Sequence, residues 1–204
     1  MPRTIVYYFP ERALGECIRL LLAYRGEEFI DRRIPHEDWP EIKHKMPFGE
    51  MPVLEIDGKK YAQSLAILRY LGRKHGLSGQ DLEEDFEIDQ NVYFYTDVWT
   101  RGGYVYHEAN EEAKAANMAE LVKNYYPFAL KKLDEIIKKN NGHLALGKLT
   151  WADFLFAGMY DCVKVKLQMP DLDKKYPSFK KLADSVYALP RCKAYADKAP
   201  KTDY

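Results

Sequence analysis

An excess of either charge is missing from this chain: its 204 residues carry 31 lysines and arginines against 31 aspartates and glutamates. A balanced chain has no net field with which to hold nucleic acid or an anionic membrane by charge alone. Long hydrophobic runs are missing too. The apolar run near the amino terminus, Ile5 to Phe9, is too short for a signal peptide, and no later run approaches membrane-spanning length. A cytoplasmic chain with no nucleic-acid or membrane partner is expected. Cysteine is scarce: Cys17, Cys162 and Cys192 are odd in number and widely spaced, which excludes a disulfide framework and a Cys-x-x-Cys redox or zinc pattern. They read as buried, inert thiols. The five histidines, His36, His44, His75, His107 and His143, lack paired ligand spacing, so no metal is expected.

What is present is a globular composition, 47% apolar, large enough for one sizeable domain or two small ones. Thr4 to Phe9 is dense in β-branched and aromatic residues, and Glu16 to Arg25 sets Cys17, Leu20, Leu21 and Tyr24 at helical spacing. Phe29 to Ile34 reads as a second strand, returning parallel to the first through a right-handed crossover. Asp38 can cap a short helix that has Pro40 in its first turn. Val53–Ile56 and Lys59–Tyr61 flank Asp57-Gly58, a pair that tolerates the positive φ angles of a tight antiparallel hairpin. Ser64 then opens a helix to about His75, with Leu65, Leu68 and Leu71 on one side and Arg69, Arg73 and Lys74 outward.

This order is that of a thioredoxin-like domain, whose open faces require a partner. The expected division is a thioredoxin-like unit over residues 1–76, a linker over 77–82 and an all-helical unit over 83–204. In the helical part, Glu83 to Asn110 forms an aromatic-rich run with a bend at Gly102-Gly103. Met118 to Asn140, Trp151 to Lys166 and helices flanked by Pro177 and Pro190 follow. Thr150-Trp151-Ala152-Asp153 has the form of a helix-start box, stapled by Leu149 and Phe154, with a folding role.

Taken together, Tyr8, Asp38-Trp39-Pro40-Glu41-Ile42-Lys43, Pro47-Phe48-Gly49, Met51-Pro52-Val53-Leu54, Gln63-Ser64 and Thr150-Trp151-Ala152-Asp153 resemble the sigma class of cytosolic glutathione transferases. The resemblance spans both units and extends to haematopoietic prostaglandin D synthases and insect prostaglandin E synthase-like members. It implies glutathione as co-substrate and no required metal. Tyr8 matches the catalytic tyrosine, whose neutral hydroxyl donates to the sulfur of glutathione and favours the thiolate. Tyr7 and Tyr8 alternate on a strand, so only one can face a site, and the resemblance selects Tyr8. On residues alone Tyr8 could equally pack an edge, as one of sixteen tyrosines.

The resemblance further implies that Pro52 is cis and that Met51 offers its backbone to the cysteinyl unit. Gln63 and Ser64 would hold the γ-glutamyl carboxylate at a helix start, and Trp39 and Lys43 the glycyl carboxylate. Asp97 would reach the ligand's amino group from the neighbouring subunit, which implies a homodimer; an exposed ion pair with Arg101 is the alternative. Leu14, Tyr95, Trp99, Tyr104 and Tyr106 are candidate walls of a pocket for small hydrophobic electrophiles.

The implied activity is addition of glutathione to electrophiles such as lipid aldehydes and aryl halides, with reduction of organic hydroperoxides. A glutathione-dependent prostaglandin D or E synthase is the first alternative. The second is a non-enzymatic relative akin to the lens S-crystallins. Leu14 replaces the arginine of vertebrate prostaglandin D synthases, and Glu50 stands where glutamine or lysine is common. The strand-to-helix junction, Pro10 to Glu16, has no cysteine, which disfavours disulfide exchange.

Overall fold

The structure, a computed structural model, describes residues 3–202; the outer limits of the two expected units, Met1 and Tyr204, lie outside them. The β-branched and aromatic opening forms β1, Thr4–Tyr8. Helix α1, Ala13–Arg25, leads to β2, Ile30–Arg33, which lies parallel to β1. After a 3-10 turn at His36–Asp38 comes α2, only four residues long, Trp39–Ile42. Asp38 holds its N-cap position without a side-chain bond, so the expected cap is one of place only.

Strands β3, Val53–Ile56, and β4, Lys59–Ala62, form the expected hairpin. Asp57 and Gly58 take φ of 50° and 83° at its turn. Sheet order is β2-β1-β3-β4, with β1 and β3 antiparallel. Helix α3, Ser64–Lys74, covers the sheet, burying Ile67, Leu68 and Leu71 while Arg73 and Lys74 face water.

Beyond this thioredoxin-like unit the described chain is helical, as its pattern implied. Helix α4 spans Leu82–Tyr106, with Asp81 accepting from the Glu84 amide at its start. The helix runs unbroken through Gly102-Gly103, where a bend was expected. A β-carbon on Gly102 would lie 2.9 Å from both Leu167 Cδ2 and the Tyr126 hydroxyl, so close approach accounts for this glycine. Asn110, expected in the long helix, instead caps α5, Glu111–Glu120. The single helix expected from Met118 to Asn140 is divided by a π-helical turn at Leu121–Tyr125 before α6, Tyr126–Lys139, which carries Pro127 in its first turn. Proline lacks the N–H that a continuing helix needs, and a helix start tolerates the loss.

Helix α7, Trp151–Leu167, is the central post: it buries thirteen residues and packs on α1, α3, α4 and α9. Its first turn is the expected capping box; the buried Asp153 carboxylate accepts from the Thr150 and Leu144 amides at 2.7 and 2.8 Å. Short α8, Leu172–Lys175, then α9, Pro177–Tyr187, and α10, Pro190–Ala196, complete the order. Leu20, Leu21 and Leu22 of α1 and Phe154 and Leu155 of α7 are fully buried, each contributing about 1.5–3 kcal/mol. Ion pairs Arg69–Asp89 and Arg73–Asp85 tie α3 to α4. No described helix is long and apolar enough to cross a membrane.

Candidate active site

Strand register brings the candidate residues to one end of the sheet. Tyr8 pairs with Arg33, Tyr7 with Val53, and Val53 with Ala62. One step further along each strand stand Tyr8, Pro52 and Gln63, a row across β1, β3 and β4. The Met51–Pro52 bond is cis.

Alternation decides between the two tyrosines. Tyr7 lies on the outer face, donating to Glu55 Oε2 at 2.9 Å with Lys60 over its ring. Tyr8 is buried on the inner face, against α1. Burial pushes its phenol well above the ordinary tyrosine pKa, and Glu11 adds to the effect. The hydroxyl therefore keeps its proton and can only be a donor toward an anion.

Beneath the Tyr8 ring, 5.8 Å from its centroid, lies the guanidinium of Arg19, which is 0% exposed. Arg19 donates to Asp31 Oδ1 and to the Glu11 carbonyl, each at 2.8 Å, and pairs with buried Glu16 at 3.4 Å. Helix α1, the β1–α1 loop and β2 are thus fixed to one another around the phenol. Burial raises the Glu16 carboxyl.

A cavity of about 230 Å³ opens on Tyr8. Phe9, Glu11 and Ala13 supply its loop side, His36 one edge, Tyr106 and His107 the end of α4, and Cys162, Val165 and Lys166 one flank of α7. Of the expected walls, Tyr106 is in place. Tyr95 is not: it is 1% exposed and stacked on Phe156 at 4.8 Å in the bundle core. Tyr104 is 77% exposed on the opposite side. Helical phase explains the split, because Ile88, Tyr95, Val98 and Gly102 follow the inner stripe of α4 whereas Tyr93, Asp97 and Tyr104 follow the outer one. Trp99 is half-buried and reaches the cavity only through Lys166, whose Nζ stands 5.9 Å from its ring. Leu14 packs against the core beside the cavity without lining it.

The remaining candidates do not line this cavity. Trp39 packs edge-on against Phe9 at 5.5 Å, and Phe9 stacks on His36 at 4.4 Å. Lys43 is exposed, its stem covering Gly49. Gln63 takes φ 73° and ψ 102°, a strained conformation for a residue with a side chain, and donates to Glu50 at 3.4 Å. Ser64 is the first residue of α3, whose start has neither a side-chain cap nor an acidic residue in its first turn. That helix end is an open site for an anion. Asp97 is exposed, and among the described residues it makes no ion pair with Arg101, whose guanidinium sits over the Tyr125 ring at 4.6 Å.

Sequence reasoning did not find Phe9, Glu11, Ala13, His36, His107, Cys162, Val165 or Lys166 as lining residues. The three cysteines are buried as expected, and burial raises their thiols, that of Cys192 to about 12. Among the described residues no three His, Cys, Asp or Glu side chains are grouped for a metal.

An uncapped helix start, a strand-end proline and a buried phenol thus stand together at one end of a thioredoxin-like sheet backed by a helical bundle. The chain matches the models of the glutathione S-transferase N-terminal domain over residues 2–73 and C-terminal domain over residues 96–199. It is 55% identical over 204 residues, all of both chains, to glutathione S-transferase 2 of Manduca sexta. With the haematopoietic prostaglandin D synthase of Gallus gallus it shares 37% over 204 residues, 99% of each chain. The structure of prostaglandin synthase D of Nilaparvata lugens superposes with a TM-score of 0.91 at 38% identity, covering 98% of this chain and all of that one. The chain belongs to the glutathione S-transferase family, and it is an enzyme of that family.

Proposed function

We propose that this is a sigma-class enzyme that activates glutathione as a thiolate and adds it to hydrophobic electrophiles such as lipid aldehydes and aryl halides. One observation carries the reading: a phenol held neutral by burial lines the cavity and stands in one row with Pro52 and Gln63 at one end of the sheet. The domain division proposed is residues 1–76 for glutathione, a linker at 77–82 and residues 83–204 for the electrophile.

In this reading Lys43 and the Trp39 indole receive the glycyl carboxylate, and the Met51 backbone before Pro52 pairs with the cysteinyl unit. Gln63 and the first amides of α3 take the γ-glutamyl carboxylate, and Asp97 of a second copy meets its amino group. Tyr8 donates its hydrogen bond to sulfur while the thiol proton leaves to solvent. A free thiol near pKa 8.5 is only about 3% ionised at pH 7, and lowering that value by about two units costs about 2.7 kcal/mol and makes about three quarters of it reactive. Sulfur then bonds to the electrophilic carbon: an aryl halide releases halide, whereas in an unsaturated aldehyde the C=C pair shifts toward the carbonyl oxygen and the resulting enolate takes a proton from solvent. With an organic hydroperoxide, two glutathiones supply the two electrons, giving the alcohol, water and glutathione disulfide.

A homodimer is supported by the outer stripe of α4, where the large apolar side chains of Leu82, Phe86, Tyr93 and Tyr104 are exposed alongside Asp97. A cytoplasmic location follows from the same reading. A second activity, glutathione-dependent isomerisation of a prostaglandin endoperoxide, is favoured by the likeness to the Nilaparvata lugens structure. Leu14, packed beside the cavity, supplies no cation for it.

Turnover of an aryl halide, a hydroxyalkenal, cumene hydroperoxide and a prostaglandin endoperoxide, each with and without glutathione, tests the proposal. Glutathione-dependent conversion of the first two is expected. Absence of that dependence throughout would remove it.

A further inference from the structure

Among the described residues, Lys166 is a cation without a counter-ion. On the same helix its neighbour Lys164 pairs with Asp173 at 2.8 Å, and Asp161, also on α7, pairs with Arg12 at 2.8 Å. The carboxylate that lines the cavity, Glu11, is committed to His36 at 2.8 Å. Among the described residues no carboxylate lies within ion-pair distance of Lys166; its ammonium stands over the Trp99 ring at 5.9 Å and near enough to Cys162 to favour the charged form of that thiol.

The end of α4 lies against this side chain. A β-carbon on Gly103 would lie 3.7 Å from Lys166 Cδ and 3.9 Å from its Nζ, so the side chain lies along the last turn of α4 with its stem against that glycine. The half-buried Lys166 side chain stands at the wall of a cavity whose lining is apolar at Phe9, Ala13 and Val165 and polar at Glu11, His36 and His107. A cation with no carboxylate paired to it, on a wall that also offers Phe9, Ala13 and Val165, can receive an anion at the end of an apolar molecule.

Resting on the transferase reading above, we propose that Lys166 is a specificity-determining residue that selects electrophiles carrying a carboxylate remote from the reacting carbon. The substrate class is then an acidic amphiphile, such as an enal or hydroperoxide made by oxidation of a fatty acid, in preference to its neutral counterpart. A charge-assisted hydrogen bond in a partly dry site gives roughly tenfold selectivity or more.

The test compares wild type with Lys166→Met, which keeps the stem and loses the charge, and with Lys166→Arg, which restores it. Calorimetry measures binding of decanoate and of methyl decanoate to each; kinetics measures kcat/KM for an alkenal with a terminal carboxylate and for its methyl ester. Wild type should prefer the acid by roughly tenfold or more in both assays. The ratio should fall to about one in Lys166→Met and recover in Lys166→Arg. Equal binding of acid and ester by wild type, or an unchanged ratio in Lys166→Met, overturns the assignment. Acid-selective binding without any glutathione-dependent turnover would support Lys166 while rejecting the transferase reading, so the two fail separately.

Discussion

A β-carbon on Gly15 would stand 2.5 Å from Cδ1 of Tyr8, so the first turn of α1 and the phenol share their space only because that side chain is absent. Arg19 blocks retreat from below, at 5.8 Å from the ring. In Gly15→Ala the ring must therefore move toward the cavity. A displacement on the order of 1 Å at a reacting group costs up to about a hundredfold in rate. The variant is expected to fold and to lose tenfold or more in kcat, roughly, with a smaller change in the KM for glutathione. Steady-state kinetics alongside a thermal melt separates displacement from unfolding.

Tyr8→Phe removes the donor and keeps the packing. Because burial holds the phenol above its ordinary range, Tyr8 does not ionise in the working range, and on the proposed reading the group titrating in the pH–rate profile is the glutathione thiol. The variant should bind glutathione with little change, lose roughly tenfold or more in kcat, and shift the acid limb of the profile upward. Ultraviolet difference titration of the enzyme-bound thiolate checks this directly, and an unmoved titration would discard Tyr8 as the donor.

Gln63 carries a strained backbone, φ 73°, at the opening of α3. Such a conformation costs about 1–3 kcal/mol with a side chain and little with glycine. Gln63→Gly is expected to raise the urea midpoint while raising the KM for glutathione by roughly tenfold, through loss of one charge-assisted hydrogen bond. A variant both less stable and equally active would show that the strain serves no ligand.

Local chemistry made the first 75 residues legible. Strand composition, the Asp57-Gly58 turn and the start of α3 at Ser64 are written in adjacent residues. Strand parity separates Tyr7 from Tyr8, although the sequence alone did not say which faces inward. The helical unit was less readable because α4 carries large aromatic side chains on every face, from Phe86 to Tyr106, leaving little polar contrast to set its phase. Tyr95 and Tyr104 were grouped with Tyr106 for that reason. Cys162, Val165 and Lys166 reach the cavity from a helix more than 150 residues beyond Tyr8 in the chain. Nothing in the pattern of α7, buried on nearly all sides, marks that flank.

The helix-start box that was legible in sequence also carries a pH dependence. His143 Nδ1 lies 3.4 Å from Asp153 Oδ2, within ion-pair reach though without an aligned hydrogen bond, and this carboxylate raises the His143 pKa above 6.5. The folded state thus binds the proton more tightly than the unfolded chain. Stability from this pair is fully present below 6.5, the unfolded value, and is lost as pH rises through the higher folded value. His75 runs the other way, because burial lowers its pKa in the folded state and its contribution improves as pH rises. The bare slope of stability against pH therefore mixes the two, and the informative quantity is the difference between wild type and His143→Gln. Asp153 keeps its Thr150 and Leu144 amide bonds in that variant, so cooperative unfolding is preserved. Urea midpoints should show wild type ahead of the variant at pH 6, with the gap closing by pH 9. A gap of the same size at both pH values would mean that His143 acts by packing, not by charge.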